Sequence, residues 1–400
     1  MALLHSNQHR TGTRSRKPEL RKVADQTIVI TGATSGIGLA TARKAAARGA
    51  RIVAAARNEQ ALQELVDELK AAGHEALGVV ADVSKEDDVR RIASTARERF
   101  GGFDTWVNNA AISMYGRLQD VPIEDERQLF ETNYWGVVNG SRVAVEHLQE
   151  HGGALINIGS ANSDYAAPLQ GTFSASKHAV KGYTDALRIE LEEAGAPVSV
   201  TLVKPSPTDT PYTRHARNHL DTDPQLTPPV YSPDVAADTI LYCAENRKRD
   251  VYVGGGGKLY AMAGRIAPNL ADRLMGRLST RLQQGESRQR TPATDSMYSA
   301  GADGQERGDY EGRVMKSSLY SKASLHPKST GALVLASGVV AGLLWRAYLR
   351  NGLRNGLRSG KPVASSEMRR LARKGSKVAR SLPHVATSMR KTVEHNLPRH

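Results

Sequence analysis

Two stretches of this 400-residue chain hold residue types at spacings that could do chemistry. The first is TGATSGIG, residues 31–38, in which Gly32, Gly36 and Gly38 are interleaved with Thr34, Ser35 and Ile37. Glycines at this spacing allow a tight turn without Cβ atoms, so a pyrophosphate can approach backbone N–H groups at a helix N-terminus. The second is INIGSANSDYAAPLQGTFSASK, residues 156–177, which contains Ser160, Phe173 and Lys177. Phe173 and Lys177 are four apart and would share one face of a helix. A phenol at 173 would make this a proton-transfer centre. The phenyl ring has the shape of that group without its donor.

Such residues need a scaffold that brings loop ends to one cleft. QTIVIT (26–31), RIVAAA (51–56), EALGVVA (75–81), FDTWVN (103–108), ALINIG (154–159), PVSVTLV (197–203) and DVYV (250–253) are short apolar runs, read as buried strands. Helical spacing fills 36–48, 58–72, 84–100, 123–150, 172–194 and 233–246, and continues over 258–284. Ser84, with Asp87 three residues on, is read as the start of its helix. The alternation predicts an α/β fold: a Rossmann-type doubly wound parallel sheet of about seven strands in three α/β/α layers. The glycine turn then follows the first strand and opens the first helix, which is the context a dinucleotide turn requires.

The end of the second strand bears on the cofactor. A carboxylate there would accept hydrogen bonds from an adenosine ribose, but the residues are Ala55, Ala56 and Arg57. An arginine without a carboxylate favours a 2′-phosphate, so the cofactor is read as NADP(H) rather than NAD(H). Asp82 and Val83, closing the third strand, could contact adenine, or Asp82 could cap the next helix.

In order along the chain, these motifs resemble the short-chain dehydrogenase/reductase family over residues 24–255. TGATSGIG is similar to its cofactor loop, and Asn108-Asn109-Ala110-Ala111 resembles its NNAG motif with Ala for the last Gly. Asn133 in ETNYWG, Ser160, Lys177 and the Pro205 to Thr210 segment also fall at family positions. The resemblance implies alcohol/carbonyl chemistry with a nicotinamide cofactor, in a homodimer or tetramer packed through the long helices. It implies cofactor contacts from the glycine loop, Asn109, Lys177, Pro205 and Thr210. It places Ser160 on the carbonyl oxygen, Lys177 on the nicotinamide ribose, and Asn133 behind a water leading to Lys177.

Two residues depart from the family pattern. Ser206 follows Pro205 where the family has Gly, which puts a Cβ beside the nicotinamide. Phe173 stands where the family has the Tyr of Y-x-x-x-K, the phenol that gives a proton to the alkoxide left by hydride transfer. General acid catalysis contributes about 10²- to 10⁴-fold. The expected activity is therefore an NADP(H)-dependent oxidoreductase of a hydrophobic alcohol or ketone with impaired proton transfer. The alternative is an NADP(H)-binding protein with little turnover, recruited to a membrane or a partner by its C-terminal tail. Tyr165 and Tyr212 could face the pocket. In the 206–231 loop, His215, Arg217 and His219 could meet an anionic group or be solvated.

Composition sets the surroundings. The net charge of +14 is carried by the ends. Residues 346–400 hold 14 Lys/Arg and 2 Asp/Glu, residues 1–25 hold 6 and 2, and the body between them has a net charge of −2. The organisation expected is a basic flexible arm (1–24), the NADP-binding domain (25–284), a disordered linker (285–328), an apolar segment (329–349) and a basic tail (350–400). The uncharged run TGALVLASGVVAGLLW (330–345) is about 24 Å long as a helix, short of a hydrocarbon core. With the arginines at 346, 350, 354 and 358 it suits an anionic membrane surface, contacted through residues 329–400. Nucleic acid is disfavoured, because Tyr348 is the only aromatic after Trp345. No secretory signal is read at the start, and Cys243 is the only cysteine, read as a core filler in a cytoplasmic protein. No metal-ligand spacing is present.

Overall fold

The structure is a computed structural model that describes residues 19–288, 295–301, 303–326 and 330. The expectations for residues 1–18 and for the apolar segment and basic tail, Thr330 apart, lie outside the described residues. Among the described residues no helix is long and apolar enough to cross a membrane.

Seven parallel strands form the centre: β1 (Thr27–Thr31), β2 (Arg51–Ala56), β3 (Ala76–Val80), β4 (Thr105–Asn108), β5 (Gly153–Ile158), β6 (Val198–Pro205) and β7 (Asp250–Val253). Their spatial order is β7-β6-β5-β4-β1-β2-β3, so the chain starts in the middle and winds out both ways. The central strands are buried along their whole length, and therefore read as unbroken apolar runs rather than alternating ones. The change of direction between β1 and β4 leaves a crevice beyond their C-terminal ends, where α/β sheets bind ligands.

The helices are α1 (Gly36–Ala47), α2 (Glu59–Ala71), α3 (Glu86–Phe100), α4 (Ile123–Phe130), α5 (Gly136–His151), α6 (Gly171–Glu193), α7 (Tyr212–His215), α8 (Pro233–Glu245), α9 (Gly255–Ile266), α10 (Pro268–Gln283) and α11 (Leu319–Leu325). Two apolar cores flank the sheet, one under α1, α2 and α8 and one under α3 and α5. Cys243 is fully buried in the first, and burial pushes its thiol up to about 12. A buried polar ladder crosses the sheet: Asn108 Nδ2 donates to Asn157 Oδ1 at 2.8 Å, and Asn157 Nδ2 donates to Thr184 Oγ1 at 2.9 Å. It ties β4, β5 and α6 in one register. Gly140 lets α5 lie against β4, since a Cβ there would be 2.0 Å from Asn108 Oδ1.

Three expectations are corrected. Helix α3 starts at Glu86 behind Lys85, not at Ser84, because Ser84 N–H and Oγ–H both donate to Asp82 Oδ1 in a turn of their own. Residues 19–24 are not a free arm: Val23 is buried and its N–H donates to Glu245 Oε1 at 2.8 Å. The described part of 285–328 is not a disordered linker. Val314–Met315 pairs with Val230–Tyr231, and α11 packs beside α8, where Tyr242 Oη donates to Leu325 O at 2.7 Å.

Candidate active site

The glycine turn is built by contacts that exclude side chains. Gly32 and Gly36 have φ of 64° and 54°, in the left-handed region. Gly38 has an ordinary φ, but a Cβ on it would lie 2.0 Å from Gly32 O, so helix α1 could not start this close to β1. Thr31 Oγ1 accepts from Asn109 N and Ala110 N at 3.0 and 3.1 Å, and Asn109 Nδ2 donates to Thr31 O and Gly32 O. Asn109 was read as a cofactor contact. Its amide nitrogen is engaged with the turn, so its first role is to hold the turn's shape. Thr210 meets the same turn, its Cβ 3.1 Å from where a Gly36 side chain would start.

A segment the sequence did not flag lies across this turn. Gly36 N–H donates to Gln305 O at 2.9 Å, Gly304 N–H donates to Thr34 O at 2.8 Å, and Thr34 Oγ1 donates to Asp303 Oδ2 at 2.7 Å. Arg57 Nη2 donates to Ser296 O at 2.6 Å, and Asn58 Nδ2 donates to Gly301 O at 3.1 Å. Residues 296–301 and 303–305 therefore hold several donors that face the adenosine half of the cleft. Asp82 and Val83 line the same cleft, with Asp82 also holding Ser84.

One continuous cavity of about 350 Å³ runs from Arg57 and the glycine turn to Ser160, Phe173 and Lys177. Ser160 opens a short 3-10 turn at the end of β5; its Oγ accepts from Asn162 N at 3.1 Å, which leaves the hydroxyl hydrogen available. Lys177, on α6, is buried, and its Nζ donates to Ile158 O at 3.0 Å. Burial pulls its ammonium down from 10.5 to about 8. A π-helical turn, Glu131–Trp135, separates α4 from α5 and carries Asn133. Asn133 Oδ1 accepts from Ile112 N at 2.8 Å and Nδ2 donates to Ile112 O at 3.0 Å and Ser176 Oγ at 3.3 Å. Asn133 thus clamps the 108–113 loop to α6, and does not line the cavity.

Phe173 fills its place as a core residue. It is buried with Ile112, Met114, Leu129 and Met297, and Lys177 Nζ lies 5.7 Å from its ring centre. Its edge-on neighbour is Tyr212, with ring centres 5.6 Å apart. Tyr212 lines the cavity, and its hydroxyl is buried beside Ser113 Oγ; among the described residues neither oxygen forms a hydrogen bond of sound geometry. Burial pushes the Tyr212 phenol well above its ordinary value. Tyr165 turns the other way, its Oη donating to Asp272 on α10 at 2.6 Å.

Ser206 is also placed. Its Oγ accepts from Gly257 N at 3.0 Å, so the extra atoms at this position tie β6 to α9. The anion reading of the 206–231 loop is corrected for two residues. Arg217 Nε and His219 Nε2 both lie on Asp125 Oδ2, at 3.1 and 3.0 Å, and Arg217 Nη1 lies 2.9 Å from Asp295. The charge of Arg217 is answered within the protein, and the His219 ring is held by Asp125.

Comparison with known proteins agrees with this geometry. The family model described as short chain dehydrogenase matches residues 26–221. The chain is 48% identical over 338 residues to the uncharacterized oxidoreductase YxnA of Bacillus subtilis, covering 84% of this chain and 93% of that protein. The chain belongs to the short-chain dehydrogenase/reductase family. It is an oxidoreductase fold that takes a nicotinamide dinucleotide and a small-molecule substrate. It is also 38% identical over 185 residues to 11-beta-hydroxysteroid dehydrogenase A of Sesamum indicum, covering 46% of this chain and 52% of that protein. Among solved structures, a short chain dehydrogenase/reductase from Burkholderia phymatum in complex with NAD superposes with a TM-score of 0.57 at 28% identity, covering 61% of this chain and 94% of that one.

The residues fit a dinucleotide. The turn excludes Cβ atoms where phosphates must approach, and the cavity that it lines is also lined by Lys177 and Ser160; Gly36 N–H, which donates to Gln305 O, would exchange that partner for a phosphate. Of the family's hydrogen-bonding side chains, the one not matched is the phenol at 173; Ala111 and Ser206 stand where the family has Gly.

Proposed function

We infer that the protein is an NADP(H)-dependent oxidoreductase of a hydrophobic alcohol or ketone, with a weak proton-transfer step. The observation that carries this is one cavity joining the glycine turn to Ser160 and Lys177, with a phenyl ring at 173 and an unpartnered phenol at 212. Arg57, with Ala55 and Ala56 in place of a carboxylate, supports NADP(H) over NAD(H). The apolar lining at Ile112, Tyr115, Phe173 and Leu226 supports a hydrophobic substrate. So does the similarity to a protein named for hydroxysteroids.

A nicotinamide held in the cleft supplies or accepts the hydride. Ser160 donates its hydroxyl hydrogen to the substrate oxygen and fixes its position. Lys177, held by Ile158 O, would hold the ribose of a bound cofactor and offers positive charge in a low-dielectric site. Asn133 keeps the 108–113 loop against α6, and so sets the cavity wall. The proton for the oxygen comes from Tyr212, the phenol whose ring touches Phe173. Tyr212 has no cation beside it, and burial raises its pKa, so it gives up its proton more slowly than a phenol next to Lys177 would. Trp135, at the end of the π-helical turn before α5, and Ile189, on α6, stay exposed, which supports packing into a dimer or tetramer there. The lone buried thiol suits the cytoplasm.

A second reading is an NADP(H)-binding protein with little turnover, and the observation favouring it is Phe173 itself, well packed in a core cluster. Titration of the protein with NADPH and NADH, followed by single-turnover reduction of a panel of apolar ketones, separates the two. NADPH binding with slow, Tyr212-dependent oxidation supports the enzyme. NADPH binding with no oxidation, unchanged in Tyr212→Phe, supports the second reading. Tighter binding of NADH than NADPH would contradict the cofactor assignment in both.

A further inference from the structure

Helices α9 and α10 carry an apolar stripe on their outer side. Leu270, Leu274 and Leu278 recur every four residues along α10 and are each 56–59% exposed. Leu282 continues the stripe at its end, and Leu259, Met262 and Ile266 extend it along α9, with Ile266 77% exposed at the corner between the helices. Large apolar side chains left on one face of two successive helices mark a surface that meets something other than water.

The charge beside the stripe says what. Arg273 and Arg281 sit three residues after Leu270 and Leu278, so they flank it on one side of the helix. Residues 255–283 hold five basic side chains and one acidic, Asp272, whose carboxylate accepts from Tyr165 Oη. Arg265, Arg273 and Arg281 are exposed and form no ion pair among the described residues. A second copy of the chain is a poor occupant. A two-fold contact would set the same face against itself, basic flank near basic flank, with one carboxylate per copy to offset it. An anionic lipid surface answers both features: apolar side chains enter the acyl boundary and the arginines meet the headgroups.

We propose that the outer face of α9 and α10 docks this protein on an anionic membrane surface, lying in the interface without crossing it. The inner side of the same elements walls the cavity through Gly256, Gly257, Tyr260 and Gln283. The docked face is therefore next to the cavity, and an apolar compound dissolved in the lipid has a short path to Ser160. This docking does not depend on the rate of the redox step.

The test uses the full chain and co-sedimentation with vesicles of phosphatidylcholine alone or mixed with phosphatidylglycerol. Leu274→Gln/Leu278→Gln is expected to lower binding to the mixed vesicles at least tenfold while NADPH binding is unchanged. Arg273→Gln/Arg281→Gln is expected to lower it on mixed vesicles and not on phosphatidylcholine. The basic residues beyond position 345 can attract anionic lipid but are untouched in these variants. Unchanged vesicle binding in the leucine variant would therefore overturn the proposal and assign attachment to the tail. A wild-type oligomer that the leucine variant dissociates, seen by light scattering, would also overturn it in favour of a subunit contact. A second measurement covers a variant that misfolds. Leu274→Cys, labelled with an environment-sensitive fluorophore, is expected to shift to the blue on mixed vesicles, since Cys243 is buried and stays unlabelled. No shift while the protein co-sediments would contradict the docking.

Discussion

At the scale of single residues, the departure that bears on proton transfer is one oxygen atom, missing from Phe173, and what that atom would touch. Phe173 keeps the ring in place under Lys177, so Phe173→Tyr needs only room for a hydroxyl at the cavity edge. It is expected to speed ketone reduction by about 10²-fold, within the range of a restored general acid. Tyr212→Phe is expected to slow the wild-type reaction at least tenfold without changing NADPH affinity; stopped-flow absorbance of NADPH reads both. Lys177 gives a pH test of the same site. Its folded pKa, about 8, lies below the ordinary 10.5, so the unfolded chain holds more protons between these values and stability rises with pH across that window. The penalty of the buried charge is fully present below about pH 8 and is relieved towards pH 10.5, on the order of 3 kcal/mol. Urea unfolding of wild type and Lys177→Met at pH 7.5 and 9.5 isolates it: wild type should gain stability relative to the variant. These positions were legible because each is one residue type at a fixed distance in the chain. What was not legible is the use each side chain finds. Asn109 and Asn133 sit at the expected positions, but their amides hold backbone, and only the folded loop reveals which backbone groups need holding.

At the scale of elements, the strands and helices were readable to within a few residues because buried parallel strands leave no alternation to confuse them with loops. DVYV and RIVAAA match their strands residue for residue. The strap over the glycine turn was not readable, for a physical reason. Four of its five contacts with Gly36, Thr34, Arg57 and Asn58 use its backbone, as Gln305 O, Ser296 O, Gly301 O and Gly304 N, and a backbone group carries no sequence signature. The exception is Asp303, whose carboxylate sits 2.7 Å from Thr34 Oγ1. A pyrophosphate approaching the turn meets that negative charge, so Asp303→Asn is expected to tighten NADPH and NADH alike, by about tenfold, as read by cofactor fluorescence. Weaker NADPH binding would mean that Asp303 completes the site instead. The turn itself has a sharper test. Gly38→Ala puts a Cβ 2.0 Å from Gly32 O. Overpacking of this kind costs about 1–3 kcal/mol or more, so the variant should melt lower and lose NADPH together.

At the scale of the whole molecule, charge and apolar surface are separated by region. The body between the basic ends has a net charge of −2, yet one of its faces gathers arginines beside leucines. The +14 of the chain pointed only to the ends, because a few arginines on one face disappear in a total. The α9–α10 periodicity was visible as helix, but which side faced water depended on how the pair leaned on the 161–165 turn and the cavity, a long-range fact. Fold and cleft therefore follow from pattern and spacing, while the strap and the outer face follow from packing. The account rests most on one claim: the cleft binds NADP(H) and orients a carbonyl, and lacks only an activated phenol. Single-turnover oxidation of saturating NADPH by an apolar ketone, compared between wild type and Phe173→Tyr, tests it most directly. The account predicts about a 10²-fold faster rate in the variant, with NADPH affinity unchanged. Equal rates, with NADPH bound to both proteins, would contradict it.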